Sequence, residues 1–436
     1  MLTAPTSLGI IFFPAYDWAI SPTHPEREER LLYTQDQFRE EGLFDIDGIN
    51  EYRPLRAEDT DILRAHFCFP TIEAVCTESH RISAGGAIRA AQLVLEGETQ
   101  RAFALVRPPG HHAMKVVHGN RGFCNINIEA VMVEWIRAHS GIRRIAIVDT
   151  DCHHGDGTQD VYWHDPDVLF ISLHQDGRTL YPGSGFLHEN GGPKAAGRTI
   201  NIPLPPQTAD TGYLKVVEEA VLPILEAFKP EMVINSAGQD NHYSDPITNM
   251  HFSAQGYARL NELLKPDIAV LEGGYSIKSA LPYVNLGICL AMAGCDYSAV
   301  REPDYAPDQL RETTDTLAYI DELCGQVRDA YFHPERPVVK KQGHFFVRER
   351  RVYYDTDNII EKQREKLKDC NNCQGYRLIQ TESSSILPCL GVELFHDSCP
   401  VCESEAYAAF TDKHGNSLVA QLMDHKNRKY EYRQKG

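Results

Sequence analysis

The stretch that decides the fold is Val148-Asp149-Thr150-Asp151-Cys152-His153-His154-Gly155-Asp156-Gly157, which places three acids and two imidazoles directly after an apolar run. That run, Arg143-Arg144-Ile145-Ala146-Ile147-Val148, is typical of a buried strand. Side chains alternate between faces along an extended chain, so Asp149, Asp151 and His153 are expected to point the same way. We therefore expect groups that can bind a metal to converge at the end of this strand.

An open metal site is one interpretation of this stretch. One carboxylate and one imidazole, with a third ligand from elsewhere in the fold, suit a divalent transition metal, zinc above all, with a position left for water. The alternative is a solvated strand-to-helix loop rich in polar capping residues. Two acids and two histidines within the six residues 149–154 favour the metal site.

Three further segments end in residues of the same kind. Paired histidines follow a Pro-Pro-Gly break at 108–110, where a metal site, a general-base pair and a plain turn all remain open. The other two segments are predicted strands that end on acids, at Asp240 and at Glu272. Acids at the carboxyl ends of several parallel strands are where open α/β sheets carry their active sites.

Helical patterns alternate with these strands. They cover residues 84–96, 127–139 and 214–228. This alternation predicts an α/β fold with three layers, in which helices cover both faces of a mainly parallel central sheet.

The motifs carry a family resemblance. In chain order they read Arg107-Pro108-Pro109-Gly110-His111-His112, then Asp149 to Gln159, then Ser236-Ala237-Gly238-Gln239-Asp240, then Glu272-Gly273-Gly274-Tyr275. Supporting pieces include His24-Pro25-Glu26-Arg27, Gly122-Phe123-Cys124 and Tyr181-Pro182-Gly183. The arrangement resembles the zinc-dependent histone deacetylase family, with its bacterial amidohydrolase relatives, over about residues 8–325, and implies the arginase/deacetylase fold.

The resemblance implies a catalytic Zn²⁺ held by Asp151, His153 and Asp240. It also implies a K⁺ close behind the zinc, bound mostly through main-chain oxygens by Asp149, Asp151, His153, Ser172 and Leu173. A second, peripheral cation site is expected near Tyr162, Asp165 and Val168.

The catalytic roles also follow from the resemblance. His112 is expected to be the general base and later the acid for the leaving amine, while His111 acts mainly through electrostatics. Asp149 orients His111, and Asp156 orients His112. Tyr275 is expected to donate its hydroxyl to the oxyanion of the tetrahedral intermediate.

The substrate contacts are expected on loops. Phe123 and Tyr181 would wall a tunnel for a thin aliphatic stem, with Gly122 and Gly274 beside it. Ordinary core packing is the alternative for both aromatics, but each stands next to glycine or proline, which favours a lining role. Polyamine-selective relatives carry an acid where this chain has Ile247, so acyl-lysine, or a broad specificity, is expected.

Charge is unevenly distributed along the chain. Residues 336–436 hold 17 Lys and Arg against 14 Asp and Glu, a net charge of +3. Because the whole chain has a net charge of −18, residues 1–335 carry a net charge of −21. An acidic catalytic region favours cationic partners and disfavours direct contact with nucleic acid, although acidity also serves solubility. Neither a membrane span nor a signal peptide is expected, and the twelve cysteines favour a reducing cytoplasm.

Composition changes after residues 333–337, so we expect a catalytic domain over 1–335 and a smaller domain over 336–436. A strand is predicted over 344–354 and a charged helix over 357–368. Cys370-Asn371-Asn372-Cys373 and Cys399-Pro400-Val401-Cys402, separated by 25 residues, predict a zinc ribbon with four thiolates and a structural Zn²⁺. Cys389 and His396 are the spare ligands. The basic tail at 426–435 could bind a protein, another subunit or a nucleic acid, or it could simply be solvated.

The sequence thus predicts a zinc-dependent amidohydrolase that removes acetyl or related acyl groups from lysine. The substrate is then an acetylated lysine in a protein or a small acetylated amine, and acetylpolyamine hydrolysis is the nearest alternative. A silent deacetylase core that delivers the zinc ribbon to a partner is an alternative of another class. The motifs do not choose an oligomeric state.

Overall fold

The computed structural model describes residues 2–303, 305–335, 337–412 and 416–434. Its first region is built on an eight-stranded sheet in which all neighbouring strands are parallel. Helices pack on both faces of this sheet, and a seven-stranded sheet follows in the C-terminal region. The predicted α/β class, with its layers and its added C-terminal unit, is confirmed.

The strands of the first region alternate with helices. In chain order the strands are β1 (Thr3–Phe13), β2 (Asp47–Tyr52), β3 (Phe67–Cys68), β4 (Arg101–Val106), β5 (Val116–Val117), β6 (Ile145–Asp149), β7 (Val168–Gln175), β8 (Thr199–Leu204), β9 (Met232–Ala237) and β10 (Ile268–Leu271). The main sheet has the order β2-β1-β4-β10-β9-β6-β7-β8, while β3 and β5 pair separately.

Side chains of each central strand point alternately into two cores. Ile145 and Ile147 of β6 belong to one buried cluster, and Ala146 and Val148 belong to the other. Because both faces are covered, the strand is apolar throughout and ends where its first acid, Asp149, appears. The apolar run therefore brings the polar stretch that follows it to the carboxyl edge of the sheet.

The helices lie close to the predicted segments. They are α1 (Thr34–Glu40), α2 (Asp59–Ala65), α3 (Ile72–Val75), α4 (Glu78–Leu95), α5 (Ile128–His139), α6 (Asp156–Tyr162), α7 (Asp210–Val216), α8 (Leu222–Phe228), α9 (Ala254–Leu264), α10 (Leu281–Ala293) and α11 (Thr314–Phe332). A π-helical turn, Val217–Val221, joins α7 to α8. The start of α5 is fixed by Asn127, whose side chain accepts a hydrogen bond from the Ala130 amide at 2.8 Å.

The C-terminal region is a sheet of seven strands with one helix. Its elements are β11 (Lys340–Gln342), β12 (Phe345–Tyr354), β13 (Ile359–Lys368), β14 (Tyr376–Ser383), β15 (Ile386–Leu394), α12 (Pro400–Thr411), β16 (Val419–Asp424) and β17 (Lys429–Gln434). The strands lie in sequence order, and only β15 and β16, which α12 connects, are parallel. No described helix is long and apolar enough to span a bilayer.

The predicted charged helix over 357–368 is wrong, because most of this segment is strand β13. Its alternate side chains are buried, among them Glu361 and Glu365. Buried partners satisfy these acids: the Tyr354 hydroxyl donates to Glu361 at 2.8 Å, and His164 lies 2.6 Å from Glu365. The many charged residues indicated a solvated helix. In the structure every second side chain is buried, as in a strand, and the buried acids are bonded by residues from other parts of the chain.

The two regions are joined by polar and apolar contacts. The Gln421 side chain accepts from the Cys68 amide at 3.0 Å and donates to the His66 carbonyl at 2.9 Å. Lys115 pairs with Glu393 at 2.7 Å, and both side chains are nearly inaccessible to solvent. The C-terminal sheet is thus packed against the first region rather than tethered to it. The expected division at residue 335 remains a prediction, although α11 ends before it and β11 begins after it.

We expect Glu393→Ala to destabilise the protein by about 3 kcal/mol, because it leaves Lys115 and Arg377 buried without their shared carboxylate. Chemical denaturation measures the loss. The control is Glu349→Ala, which removes an exposed carboxylate 3.4 Å from Arg364 and should cost less than about 1 kcal/mol. Equal stability of the two variants would contradict a buried charge network at this junction.

Candidate active site

Two carboxylates and one imidazole converge at the carboxyl edge of the main sheet. His153 Nδ1 lies 2.7 Å from Asp240 Oδ2 and 3.2 Å from Asp151 Oδ1. Asp151 and His153 follow β6, and Asp240 follows β9, which pairs with β6. The three residues are buried, and one ligand atom from each lies within 4.8 Å of the others. The structure therefore brings together the expected ligand set.

The local chain path differs from the expected extended strand. Strand β6 ends at Asp149, whose Oδ1 accepts from the Asp151 amide at 3.1 Å. Asp151 Oδ1 accepts from the His153 amide at 2.8 Å in the same way. Each aspartate thus turns the chain by bonding the amide two residues on. The side chains converge through these turns and not through strand alternation.

Backbone amides and glycines fix the two carboxylates. The Cys152 amide donates to Asp240 Oδ1 at 2.7 Å, and the Gly273 amide donates to Asp151 Oδ2 at 2.6 Å. A Cβ atom at Gly273 would lie 2.5 Å from Asp151 Oδ2, and one at Gly238 would lie 2.1 Å from it. Only glycine permits this approach. Two buried carboxylates and a histidine at this spacing fit a divalent metal of the zinc class.

Two histidine–carboxylate pairs stand beside the cluster. His111 Nδ1 lies 3.1 Å from Asp149 Oδ2, and His112 Nδ1 lies 2.8 Å from Asp156 Oδ1, as the expected pairing requires. The two rings have centroids 4.1 Å apart. His111 Nε2 is 3.8 Å from Asp151 Oδ1.

The two histidines differ electrostatically. Burial opposes charge on His111, but the carboxylates of Asp151 and Asp149 raise its pKa well above the usual value. Burial lowers the pKa of His112, and the nearby charges of His111 and Arg121 lower it further. Arg121, which sequence reasoning missed, lies 2.6 Å from Asp156 and takes up part of the charge of that carboxylate.

Tyr275 is buried at the other side of the site. Its amide donates to Asp245 Oδ2 at 2.8 Å, and its ring meets the edge of Phe123 at a centroid distance of 5.7 Å. The guanidinium of Arg30 stacks 5.0 Å from the ring centroid. Gly274 has a φ of +120°, a region that a side chain rarely adopts. Tyr275 is thus held by its backbone and by the contacts of its ring with Arg30 and Phe123.

Aromatic side chains lie on loops around this group, as expected. Tyr181 contacts His112 at a centroid distance of 5.1 Å, and Phe123 contacts Tyr275. Gly122 lies between His112 and Tyr181. A Cβ atom there would be 2.5 Å from His112 Cδ2 and 2.9 Å from the Tyr181 hydroxyl oxygen. Ile247 is half-buried, and its amide donates to Asp245 Oδ1 at 3.1 Å.

The residues expected around potassium are neighbours in the sheet. Asp149 pairs in register with Ser172, which precedes Leu173 on β7. At the expected peripheral site, near Tyr162 and Val168, the Asp165 carboxylate is bonded to Arg137 at 2.6 Å. That carboxylate is therefore already paired with a cation.

Four cysteines meet in the C-terminal region. The Sγ atoms of Cys370 and Cys399 are 3.9 Å apart, and those of Cys373 and Cys402 are 3.7 Å apart. The Gly375 amide donates to Cys373 Sγ at 3.2 Å. All four are free thiols within reach of one ion, a donor set that suits structural zinc.

The two spare ligands lie elsewhere. Cys389 packs in an apolar cluster with Phe67 and Ile379, and His396 faces Glu134. The sequence analysis named His396 only as a spare ligand for the cysteines, and it missed His425 beside Glu134 and the contacts of Asp355 with the active site. These residues are far apart in the chain and form no local motif, so the sequence held no signal for them.

The chain is similar to several known proteins. A histone deacetylase domain matches residues 67–286. A "Probable deacetylase" of Archaeoglobus fulgidus is 46% identical over 337 residues, which cover 71% of this chain and 92% of that protein. A histone deacetylase-like amidohydrolase of Pseudomonas aeruginosa is 33% identical and covers 64% of this chain and 78% of that protein.

Two further matches cover other relatives and a solved structure. An acetylpolyamine amidohydrolase of Burkholderia pseudomallei is 37% identical over 202 residues, which cover 45% of this chain and 58% of that protein. The crystal structure of the HDA15 HD domain superposes with a TM-score of 0.65 at 26% identity, covering 75% of this chain and 97% of that one.

We expect Asp240→Ala to lose one equivalent of bound zinc relative to the wild type while the four-cysteine cluster keeps its own, because the two sites share no ligand. Elemental analysis of the purified proteins gives the count. Asp245→Asn, which alters a nearby carboxylate outside the cluster, is the control. Unchanged zinc in Asp240→Ala would remove this residue from the metal site.

Proposed function

Because the chain belongs to the histone deacetylase family and is a hydrolase of amides, we propose that it removes acetyl or related acyl groups from the side-chain amine of lysine. The observation that carries the proposal is one cluster in which Asp151, His153 and Asp240 stand beside two histidine–carboxylate pairs. The relatives named deacetylase support the reaction class.

We propose zinc as the catalytic metal, with Asp151, His153 and Asp240 as its ligands. Bound there, the ion supplies a Lewis acid that polarises the acyl carbonyl and lowers the pKa of a water molecule. The buried carboxylates offer two negative charges to such an ion, and the Cys152 and Gly273 amides orient them.

His112 is the proposed general base. Its Nδ1 faces Asp156, so the proton sits on that nitrogen and Nε2 is left to accept a proton from the attacking water. The same nitrogen then delivers the proton to the leaving amine. His111, held by Asp149, contributes positive charge beside the developing oxyanion.

Tyr275 is the proposed hydroxyl donor to the oxyanion. Its backbone bond to Asp245 and the packing of Arg30 and Phe123 hold its ring in place without a rearrangement during the reaction. Phe123 and Tyr181 would grip the aliphatic stem of the substrate. Gly122 keeps the space between Tyr181 and His112 free of a side chain.

Two further metal sites remain proposals. Potassium behind the zinc would use Asp149, Ser172 and Leu173 together with Asp151 and His153. The pairing of β6 with β7, which brings Asp149 beside Ser172, supports this set. The four cysteines would bind structural zinc. A cytoplasmic location and the domain limits 1–335 and 336–436 also stay predictions.

Two alternatives concern the substrate and the class of protein. The acetylpolyamine amidohydrolase of Burkholderia pseudomallei supports a small acetylated amine as substrate. Ile247, in the place of an acid, favours acyl-lysine instead. A silent scaffold is disfavoured by the complete set of ligands, bases and Tyr275.

A panel assay tests the proposal. Purified protein is offered acetyl-lysine peptides, longer acyl-lysines and acetylated polyamines, each with and without a chelator. We expect turnover of acyl-lysine that the chelator abolishes. Preference for acetylated polyamines would move the assignment to the alternative, and zero turnover with metal bound would favour the scaffold.

We expect Tyr275→Phe to lower kcat on the order of a hundredfold or more with little change in KM, because the hydroxyl acts on the oxyanion and not on the bound amide. Steady-state kinetics on an acetyl-lysine peptide measures both constants. Tyr243→Phe, which removes a half-buried hydroxyl that donates to the Pro303 carbonyl, is the control. Turnover near the wild-type rate in Tyr275→Phe would contradict the assigned role.

A further inference from the structure

The turn between β12 and β13 reaches from the C-terminal sheet into the candidate active site. Asp355 Oδ1 accepts from the Gly122 amide at 3.0 Å and from the Tyr181 hydroxyl at 3.1 Å. Two residues on, Asp357 Oδ2 accepts from the Asn120 amide at 2.6 Å. One turn of the added region thus bonds two segments of the expected substrate wall.

The segment that it bonds is strained. Arg121 and Cys124 exchange two backbone hydrogen bonds of 2.9 Å around Gly122 and Phe123. Both central residues have positive φ, +52° and +70°, which makes a tight reverse turn of the I′ type. Phenylalanine is unfavourable in this conformation, so contacts from outside the turn help to hold it.

The turn that supplies these contacts is itself anchored. The Tyr354 hydroxyl, which donates to Glu361, also lies 2.8 Å from the Val116 carbonyl oxygen, and Tyr354 packs in a buried cluster with Met114 and Val352. A Cβ atom at Gly119 would lie 2.5 Å from Asp357 Oδ2, so the two chains are in close contact. Asp355 is therefore presented from a fixed base.

We propose that Asp355 is a positioning residue for the substrate: the C-terminal region uses its carboxylate to set Phe123 and Tyr181 at the spacing that grips an acyl-lysine stem. The inference rests on the proposed function. A single acceptor oxygen ties a backbone amide of one wall to the phenol of the other. The C-terminal region is then part of the substrate site as well as an attached module.

Hydrogen exchange and kinetics together test this role. In Asp355→Ala the Gly122 amide loses its acceptor, so we expect its exchange to quicken about tenfold and KM for an acetyl-lysine peptide to rise about fivefold, with kcat changed much less. Asp355→Asn keeps an acceptor oxygen and should restore most of both values. Glu349→Ala, an exposed acid on the same hairpin, should match the wild type.

Three outcomes decide the matter. Unchanged exchange and KM in Asp355→Ala would overturn the proposal, as would equal damage in Asp355→Asn, because a bond to the side-chain oxygen would then not be the cause. A wild type without amide turnover would overturn the proposed function instead, while the exchange of Gly122 would still decide whether Asp355 holds this turn.

A different cluster spans the same junction. Glu134 of α5 faces two histidines of the C-terminal region: its Oε2 lies 3.5 Å from His425 Nδ1 and 3.8 Å from His396 Nε2. One ligand atom from each residue lies within 4.8 Å of the others, and Glu134 and His425 are buried. Among the described residues, His396 Nε2 has no hydrogen-bond partner.

The spacing and the surroundings suit a metal ion. Donors bound tetrahedrally at about 2.1 Å from one ion lie about 3.4 Å apart, whereas a direct histidine–carboxylate hydrogen bond is shorter. His425 Nε2 lies 3.4 Å from Glu393 Oε1, and a carboxylate behind a ligand histidine is usual at metal sites. Arg137 contacts Oε1 of Glu134 at 3.2 Å. The other carboxylate oxygen, Oε2, is the one that faces the two histidines.

We infer that Glu134, His396 and His425 bind a divalent transition metal of the zinc class, which links the two regions. Zinc-loaded full-length protein, freed of excess metal by gel filtration, should lose one equivalent in His396→Ala/His425→Ala. His139→Ala, a change at an exposed histidine on the same helix, should keep it. Circular dichroism and retention of the other bound zinc verify folding. Equal zinc in the double variant and the wild type would overturn this site.

Discussion

Two carboxylates at the tips of neighbouring strands face one imidazole, and the rest of the molecule depends on holding them there. Asp151 and Asp240 are completely buried, a costly arrangement for like charges unless a cation shares the site. Amides of Cys152 and Gly273 and the bare backbone of Gly238 keep both side chains in place. The parallel sheet supplies the stiffness, since both acids follow strands buried on two faces.

The C-terminal region is a structural partner of the site. Its sheet is fixed by buried polar contacts such as Lys115 with Glu393 and Gln421 with Cys68. From that base, the turn at Asp355 contacts Gly122 and Tyr181. The four cysteines lie beyond the opposite end of β13 from this turn, next to Lys368. Metal binding there would therefore stabilise the sheet that presents Asp355 without touching the substrate.

Local patterns in the sequence account for most of the fold and of the candidate site. Apolar runs such as 145–148 predicted strands, and the acids that follow them predicted the edge where the ligands meet. The chain path after Asp149 was not predictable from strand alternation, because the aspartate side chains bond the amides two residues on. Strand β13 was missed because its buried Glu361 and Glu365 look solvated until Tyr354 and His164 are placed beside them. The contact of Asp355 with Gly122 joins residues 233 positions apart, which no local pattern encodes.

X-ray diffraction at the zinc absorption edge tests the central claim most directly. Crystals of the purified protein should give an anomalous peak between the side chains of Asp151, His153 and Asp240, distinct from the one among the four cysteines. An anomalous map with a peak at the cysteines and none at the strand tips, from protein that hydrolyses acetyl-lysine, would contradict the account.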